Sequence, residues 1–270
     1  MSPASLSTLH TELERLGRVV VAFSGGADSA FLAKVATDCL GADRVLSVTA
    51  FSPSLAPEEA DDCRQLAAEW GLRWLGVPSA EMEDPRYRAN GADRCARCKR
   101  ALMGALGPFA EAEGAAIALG VNLDDLGDYR PGQRVALEEG AVFPLVSAGF
   151  SKADVREWSR RLGLRTWDKP AAACLSSRIP YGTPVTLGAL RSVATAEAAL
   201  RRLGFRQTRV RHHGSVARVE VEEHELARAV ALRREVVGAL KRAGYGYVCL
   251  DLEGFRSGSL NALIPQAADR

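Results

Sequence analysis

Strand-length apolar runs alternating with helix-length amphipathic segments constrain this chain more than any other feature. Arg18-Val-Val-Val-Ala-Phe23, Val45-Leu-Ser-Val-Thr-Ala50, residues 72–77 and Ala115-Ala-Ile-Ala-Leu-Gly120 are short and mostly apolar. Runs with so little polar alternation suit strands buried on both faces. Helical patterns separate them at 28–40, 57–70 and 94–113, the last expected to bend or break at Pro108, and another at 5–16 precedes the first run. Repeated strand, helix, strand units make the expected fold class α/β: an open parallel sheet with helices on both faces.

Beyond Gly120 the pattern changes. Residues 122–149 are rich in Gly, Asp and Pro, and Ser151 is placed to cap a helix running to about residue 162. Residues 166–183 have no period and carry Trp167, Cys174, Ile179, Pro180 and Tyr181, too apolar a set for a solvated linker. Loops of that length inside compact proteins are usually functional or disordered, and this one reads as an active-site segment. From Thr186 the reading is helix 187–203, strand 205–212, strand 216–221, helix 223–243 and strand 245–250, with a hairpin turn at His213-Gly-Ser215. Two domains are expected within the 270 residues: 1–180, and a smaller αββαβ unit over 186–270.

A formal charge of +2 is too balanced for a general nucleic-acid binder or a polybasic membrane protein. No run approaches the roughly 18 apolar residues of a membrane span, and the first 17 residues, with Glu12, Glu14 and Arg15, lack a signal-peptide core. Neither nucleic acid nor membrane is an expected partner. The six cysteines are scattered without disulfide-dense spacing, which favours a reducing, cytoplasmic compartment. Cys39, Cys63 and Cys249 fall in helix or strand patterns and read as core residues.

Ser24-Gly-Gly-Ala-Asp-Ser29 joins the first strand to its helix, the place where open α/β sheets bind ligands. Two glycines allow close backbone approach, the helix start presents N–H groups and a positive dipole end to an anion, and Ser24 and Ser29 add hydroxyls. A plain turn with Asp28 as cap is the bland alternative. Neither a Walker lysine nor a Gly-x-Gly-x-x-Gly fingerprint is present. In this position the motif resembles the signature of the PP-loop ATP pyrophosphatases. That resemblance implies cleavage of ATP between its α and β phosphates and adenylation of a substrate oxygen. It also implies that the ends of neighbouring strands contact adenine and ribose. The implied ATP residues are Ser24, Gly25, Gly26, Asp28, Ser29, Ala50, Gly120 and Asp124. Asp124 and Asp125 are candidate Mg²⁺ ligands, or else members of a solvated turn or a helix cap.

Within that superfamily, four stretches resemble LarE-type sulfur transferases of nickel-pincer nucleotide assembly: Asp93-Arg-Cys-Ala-Arg-Cys-Lys99, Gly120-Val-Asn-Leu-Asp-Asp-Leu-Gly-Asp-Tyr-Arg-Pro-Gly132, Trp167-Asp-Lys-Pro-Ala-Ala-Ala-Cys-Leu-Ser-Ser-Arg-Ile-Pro-Tyr-Gly182 and Arg256-Ser-Gly-Ser-Leu-Asn261. The resemblance implies adenylation of a pyridinium carboxylate mononucleotide, displacement of AMP by sulfur, and release of a thiocarboxylate. Cys174 matches the sulfur-delivering cysteine, and Arg178 and Lys169 are placed to lower its pKa or hold phosphate. Arg209 and Arg211, two apart on one strand face, match the family's substrate-phosphate arginines, to which Arg178 is added; an exposed basic strand is the alternative. Glu197, Glu220 and Glu222 are open to a metal or a subunit contact. A homo-oligomer and a downstream nickel-inserting enzyme are expected partners.

Cys95-x-x-Cys98 is open to three readings: a redox pair, half a zinc site, or two ligands of an iron–sulfur cluster. Zinc lacks an evident second pair, and a redox pair lacks a thioredoxin-like fold. With Cys174 the pair makes three thiolates, enough for a 4Fe–4S cluster with one iron lacking a protein ligand. Three-cysteine LarE-like proteins and some tRNA thiolases are similar in this respect. The sulfur comes either from a cluster-bound sulfide or from Cys174 itself. A tRNA thiolase and an ammonia-using amide ligase of the same superfamily remain the alternative functions.

Overall fold

The computed structural model describes residues 5–127, 131–170 and 173–256. The chain forms two compact units, one of Met1–Ser52, Pro57–Asp84 and Cys95–Ala172, the other of Pro53–Ala56, Pro85–Arg94 and Ala173–Arg270. Among the described residues no helix is long and apolar enough to cross a membrane.

The first unit runs α1 (Leu6–Leu16), β1 (Val19–Ala22), α2 (Ala27–Leu40), β2 (Val45–Phe51), α3 (Pro57–Glu69) and β3 (Trp74–Pro78). After α4 (Pro85–Arg88), which belongs to the second unit, come α5 (Arg94–Glu113), β4 (Ala116–Ala118), α6 (Pro131–Glu138), α7 (Pro144–Ser147) and α8 (Lys152–Arg161). The four strands are parallel in the order β3-β2-β1-β4. Because successive strand side chains point to opposite faces, β1 supplies two cores. Val19 and Val21 pack with Leu13 of α1, Phe31 of α2, Leu66 of α3 and Val155 of α8. Val20 packs on the other face with Met103 and Leu106 of α5 and Ala136 of α6. The expected open sheet with helices on both faces is present.

One local expectation is corrected. Helix α5 runs unbroken through Pro108, because Met103, Leu106 and Ala110 bury apolar surface on both sides of the lost hydrogen bond. Within 122–149, which the sequence marks only by its Gly, Asp and Pro content, lie α6 and α7, each opened by a proline at its first position, a helix-start signal that the surrounding turn residues mask.

The second unit contains α9 (Leu187–Arg202), β5 (Thr208–His213), β6 (Val216–Val221), α10 (Leu226–Ala231), α11 (Arg233–Arg242) and β7 (Tyr247–Leu250), in a sheet ordered β5-β6-β7. β5 and β6 form the expected hairpin, turning at Gly214 (φ +62°) and Ser215, and β7 pairs parallel to β6. Strands read as starting at 205 and 245 start later, because Phe205 and Tyr245 finish helices. The N–H of Phe205 donates to Leu200 O and that of Gly204 to Arg201 O, while Tyr245 and Gly244 repeat the pattern on Leu240 and Lys241. These are Schellman closures, with the glycines at φ +91° and +101° and the apolar residue after each buried in the core. The single helix read over 223–243 is a 3-10 turn, Glu223–Glu225, followed by α10 and α11, with Leu232 at the break.

The division between units falls after Ala172, so 173–180 goes with the second unit. Backbone hydrogen bonds account for this. Leu175 N donates to Ser54 O (2.8 Å), Gly182 N to Asn90 O (3.0 Å) and Val185 N to Arg88 O (2.8 Å). Segments 53–56 and 85–94 thereby form a cradle for residues 175–185.

Candidate active site

Phe23 to Gly26 link β1 to α2. Gly25 has φ +68°, a backbone region that L side chains avoid, and a Cβ there would stand 3.0 Å from Cys63 Sγ. Ser29 closes the loop: its Oγ accepts from Ser24 N (3.2 Å), lies 3.0 Å from Ser24 Oγ and donates to Gly26 O (3.2 Å). Gly26 caps α2 with extended backbone, leaving the first-turn N–H groups without intrahelical partners, the arrangement that receives an anion.

The neighbouring strand ends approach this loop. A Cβ on Gly120 would lie 2.8 Å from Ser29 N and 2.9 Å from Asp28 C, so only glycine lets the chain after β4 pass the start of α2. Asn122 Nδ2 donates to Asp28 Oδ1 (3.1 Å), and Lys152 Nζ lies 3.7 Å from Asp28 Oδ2. Asp124 Oδ2 accepts from Lys152 N at the start of α8 (2.5 Å), and Asp125 Oδ2 from Asn122 N (3.2 Å). Both acids thus hold backbone N–H groups, the helix-cap and turn roles that were their alternatives. Ala50 lies near the C-terminal end of β2, partly buried. Asp128 to Arg130, Ala171, Ala172 and residues 257–261 of the quoted stretches lie outside the described residues.

Lys169 was expected to serve Cys174 or a phosphate. It is instead committed to the loop of its own unit, donating to Gly25 O (3.0 Å) and to Asp62 (2.5 Å) and lying 2.7 Å from Glu59. Burial opposes its charge, but the bonds to Asp62 and Glu59 outweigh burial and hold its pKa above the ordinary lysine value.

In the first unit, Cys95 and Cys98 lie in the first turns of α5, Cys95 exposed and Cys98 partly so. Gly132 of α6 packs on that turn, where a Cβ would be 3.0 Å from Cys95 O. In the second unit, Cys174 heads the 3-10 turn Leu175–Arg178 with its thiol exposed and Sγ 3.0 Å from Ser176 Oγ, while Leu175, Ser176 and Ile179 are buried. The other cysteines divide differently from expectation. Cys63 is fully buried, its thiol pushed up to about 11 by burial, and Cys39 is partly buried. Cys249 is exposed, because β7 is an edge strand whose alternation puts Val248 and Leu250 toward the core and Cys249 away from it.

Arg178 and Arg211 are built into the turn that carries Cys174. Arg178 forms a two-pronged pair with Glu197 (2.8 and 3.1 Å), both side chains buried, and its third arm donates to the carbonyls of Ala173 (2.8 Å) and Cys174 (3.2 Å). Arg211 pairs likewise with Glu220 (2.8 and 2.7 Å) and donates to Ser177 O (3.0 Å). Glu197 also accepts from Val210 N (3.0 Å). Glu197 and Glu220 are therefore occupied as counter-ions. Arg209 stacks on Phe255, 5.0 Å from the ring centroid, and burial followed by the nearby Arg178 lowers its pKa to about 10. Among the described residues, the only three metal-ligating side chains whose donor atoms lie within 4.8 Å of one another are Glu222, His224 and Glu225.

Comparison with known proteins adds family evidence to this geometry. The NAD synthase family profile matches residues 6–86. The chain is 39% identical over 262 residues to the pyridinium-3,5-bisthiocarboxylic acid mononucleotide synthase of Lactiplantibacillus plantarum, covering 97% of this chain and 95% of that one. The chain belongs to the LarE-type family of PP-loop enzymes. It is an ATP-dependent sulfur transferase. An uncharacterised protein of Synechocystis sp. is 44% identical over 268 residues, covering 98% of this chain and 99% of its own. A glutamine-dependent NAD(+) synthetase of Rhodobacter capsulatus is 40% identical over only 75 residues, 28% of this chain and 13% of its own. The NAD synthase profile ends at residue 86, so it covers the phosphate loop of this LarE-type chain and stops short of Cys95, Cys98 and Cys174.

Several residues that shape the LarE-type site carry no local signal. Lys169, Asn122 and Lys152 reach their partners across 144, 94 and 124 positions of sequence, respectively. Only the fold brings them together.

Proposed function

We propose that this enzyme adenylates a carboxylate of a pyridinium mononucleotide and replaces the oxygen that departs with AMP by sulfur, in nickel-pincer nucleotide biosynthesis. The observation that carries this reading is the exposed Cys174 thiol at the head of a buried turn, in a chain matched over 97% of its length by a thiocarboxylate synthase. The substrate is the dicarboxylate counterpart of that synthase's product.

In the first step a carboxylate oxygen bonds to the α-phosphorus of ATP and pyrophosphate leaves. Ser24, Gly25, Gly26, Asp28 and Ser29 receive the phosphates, with Ala50, Gly120 and Asp124 beside the nucleoside. Mg²⁺ fits the oxygen donors of Asp124 and Asp125, which keep lone pairs beyond those used on backbone N–H groups. It would neutralise phosphate charge. In the second step sulfur bonds to the acyl carbon and AMP departs.

We assign the substrate phosphate to Arg209, whose burial beside Arg178 favours an anion. Arg178 and Arg211 act behind it, holding the carbonyls of 173, 174 and 177.

Cys95, Cys98 and Cys174 are proposed to hold a 4Fe–4S cluster. Thiolates are the donors such clusters take, and positions three apart on a helix share a face. When bound, the cluster would supply an iron for an exchangeable sulfide. Without it, Cys174 gives up its own sulfur: the Cα proton and the Cβ–S bond are lost, leaving dehydroalanine and the thiocarboxylate. We place the reaction in the cytoplasm, where thiolates stay reduced, in a homo-oligomer that passes its product to a nickel-inserting enzyme.

The test is incubation with ATP, Mg²⁺ and the pyridinium dicarboxylate mononucleotide after anaerobic reconstitution with iron and sulfide. Pyrophosphate, AMP and a thiocarboxylate are expected, and the cluster's absorption and EPR signals should change in Cys95→Ala and Cys174→Ala. An amide formed from ammonia, or a thiolated tRNA, in place of the thiocarboxylate would overturn the reading.

A further inference from the structure

We infer that Asn90 and Arg94 are positioning residues for Cys174, an assignment that rests on the reading of Cys174 as the sulfur-handling thiol. Asn90 is fully buried and, among the described residues, is the only non-glycine with left-handed backbone (φ +58°). Such a conformation is unfavourable for most side chains and tolerated by Asn, and it persists where surrounding bonds over-determine it. Besides a local bond from its N–H to Tyr87 O and one accepted from Arg94, those bonds run to the cysteine loop. Asn90 Nδ2 donates to the carbonyls of Thr183 (2.7 Å), Pro180 (2.8 Å) and Ile179 (3.3 Å), while its own carbonyl accepts from Gly182 N (3.0 Å).

Arg94 continues the grip toward the thiol. Its Nη1 donates to Asn90 Oδ1 (2.7 Å) and to Ser176 O (2.9 Å), and its guanidinium lies over Tyr181, 5.1 Å from the ring centroid. The side chain is buried. Ser176 in turn places its Oγ 3.0 Å from Cys174 Sγ. A connected path thus runs from Asn90 through Arg94 and Ser176 to the sulfur. Arg178, at the end of the same turn, donates to the carbonyls of 173 and 174 and is anchored to Glu197 of α9. The turn is therefore held from two elements, and Arg94 fixes the residue whose hydroxyl faces the thiol. Neither Asn90 nor Arg94 touches a reacting atom; they act by setting where Sγ stands.

The experiment uses the full-length chain and the variants Arg94→Gln, Arg94→Lys and Asn90→Asp. Three quantities are read in each: the pH profile of Cys174 alkylation by iodoacetamide, followed by peptide mass; kcat and KM for sulfur transfer; and pyrophosphate release. Because a misplacement near 1 Å costs on the order of 100-fold in rate, Arg94→Gln should lower sulfur-transfer kcat by roughly 10- to 100-fold. The KM for ATP and pyrophosphate release should stay within about twofold. The alkylation profile should shift, and Arg94→Lys, which keeps a donor, should recover part of both losses. Arg94→Gln and Asn90→Asp profiles and kcat within about twofold of wild type would overturn the assignment, as would an equal loss of pyrophosphate release, which marks general disruption. Shifted alkylation profiles in a chain whose wild type forms no thiolated product would instead overturn the functional reading and leave the positioning role standing.

Discussion

Lys169 Nζ stands 3.0 Å from the carbonyl oxygen of Gly25, the glycine whose left-handed backbone shapes the phosphate loop. Two carboxylates, Asp62 and Glu59, hold the ammonium there. The loop's shape thus depends on an ion-paired lysine from the far end of the same unit. Lys169→Met should destabilise the first unit by about 1–3 kcal/mol, less than a fully buried pair because water reaches both acids. Urea unfolding would measure this, and the KM for ATP should rise.

The same cluster sets a pH dependence. Burial opposes the charge of Asp62, but hydrogen bonds from Lys169 and Arg165 outweigh it and hold its pKa below the usual carboxylate value. Its contribution to stability is therefore full above the unfolded value near 4 and lost as pH falls through the lower folded value. Lys169, with its pKa raised, contributes fully below the unfolded value near 10.4 and loses that contribution as pH rises through the folded one. Urea midpoints against pH should show a plateau between these limits, and Asp62→Asn should flatten the acid limb.

Gly120→Ala places a methyl 2.8 Å from Ser29 N and 2.9 Å from Asp28 C, and backbone at a helix start does not move aside cheaply. A loss of about 1–3 kcal/mol is expected, with weaker ATP binding because the shifted element is the phosphate-binding turn. Thermal unfolding with and without ATP separates the two effects.

Arginines that the sequence groups together should behave differently. Arg178→Gln leaves Glu197 buried without its main counter-ion and should cost about 3–5 kcal/mol. Arg209→Gln removes a cation from a crowded, partly buried site and should change stability by less than about 1 kcal/mol while weakening binding of the substrate mononucleotide. Thermal unfolding and calorimetric titration distinguish them.

The first unit was legible because its signals are local. The valine run of β1, the glycines beside it and Ser151, which makes a capping box with Asp154, each act on near neighbours. Phe205 and Tyr245 misled because an apolar residue after a helix-ending glycine looks like a strand start, yet is the closing contact of a Schellman turn. The pairing of Arg178 and Arg211 with the buried Glu197 and Glu220, 19 and 9 positions away, leaves no mark on the sequence around them. Asn90 carries no signal at all, since its role depends on carbonyls about 90 positions further along.

In the proposed reaction sulfur passes to an adenylated carboxylate through the site of Cys174. Mass spectrometry of protein and product after one turnover tests it most directly. The expected result is a thiocarboxylate product that Cys174→Ala cannot form, with the wild-type chain unchanged in mass. A chain lighter by about 34 Da, the mass of H₂S, would contradict supply from a cluster and make Cys174 the donor. A thiocarboxylate formed as readily by Cys174→Ala would contradict the proposed reaction itself.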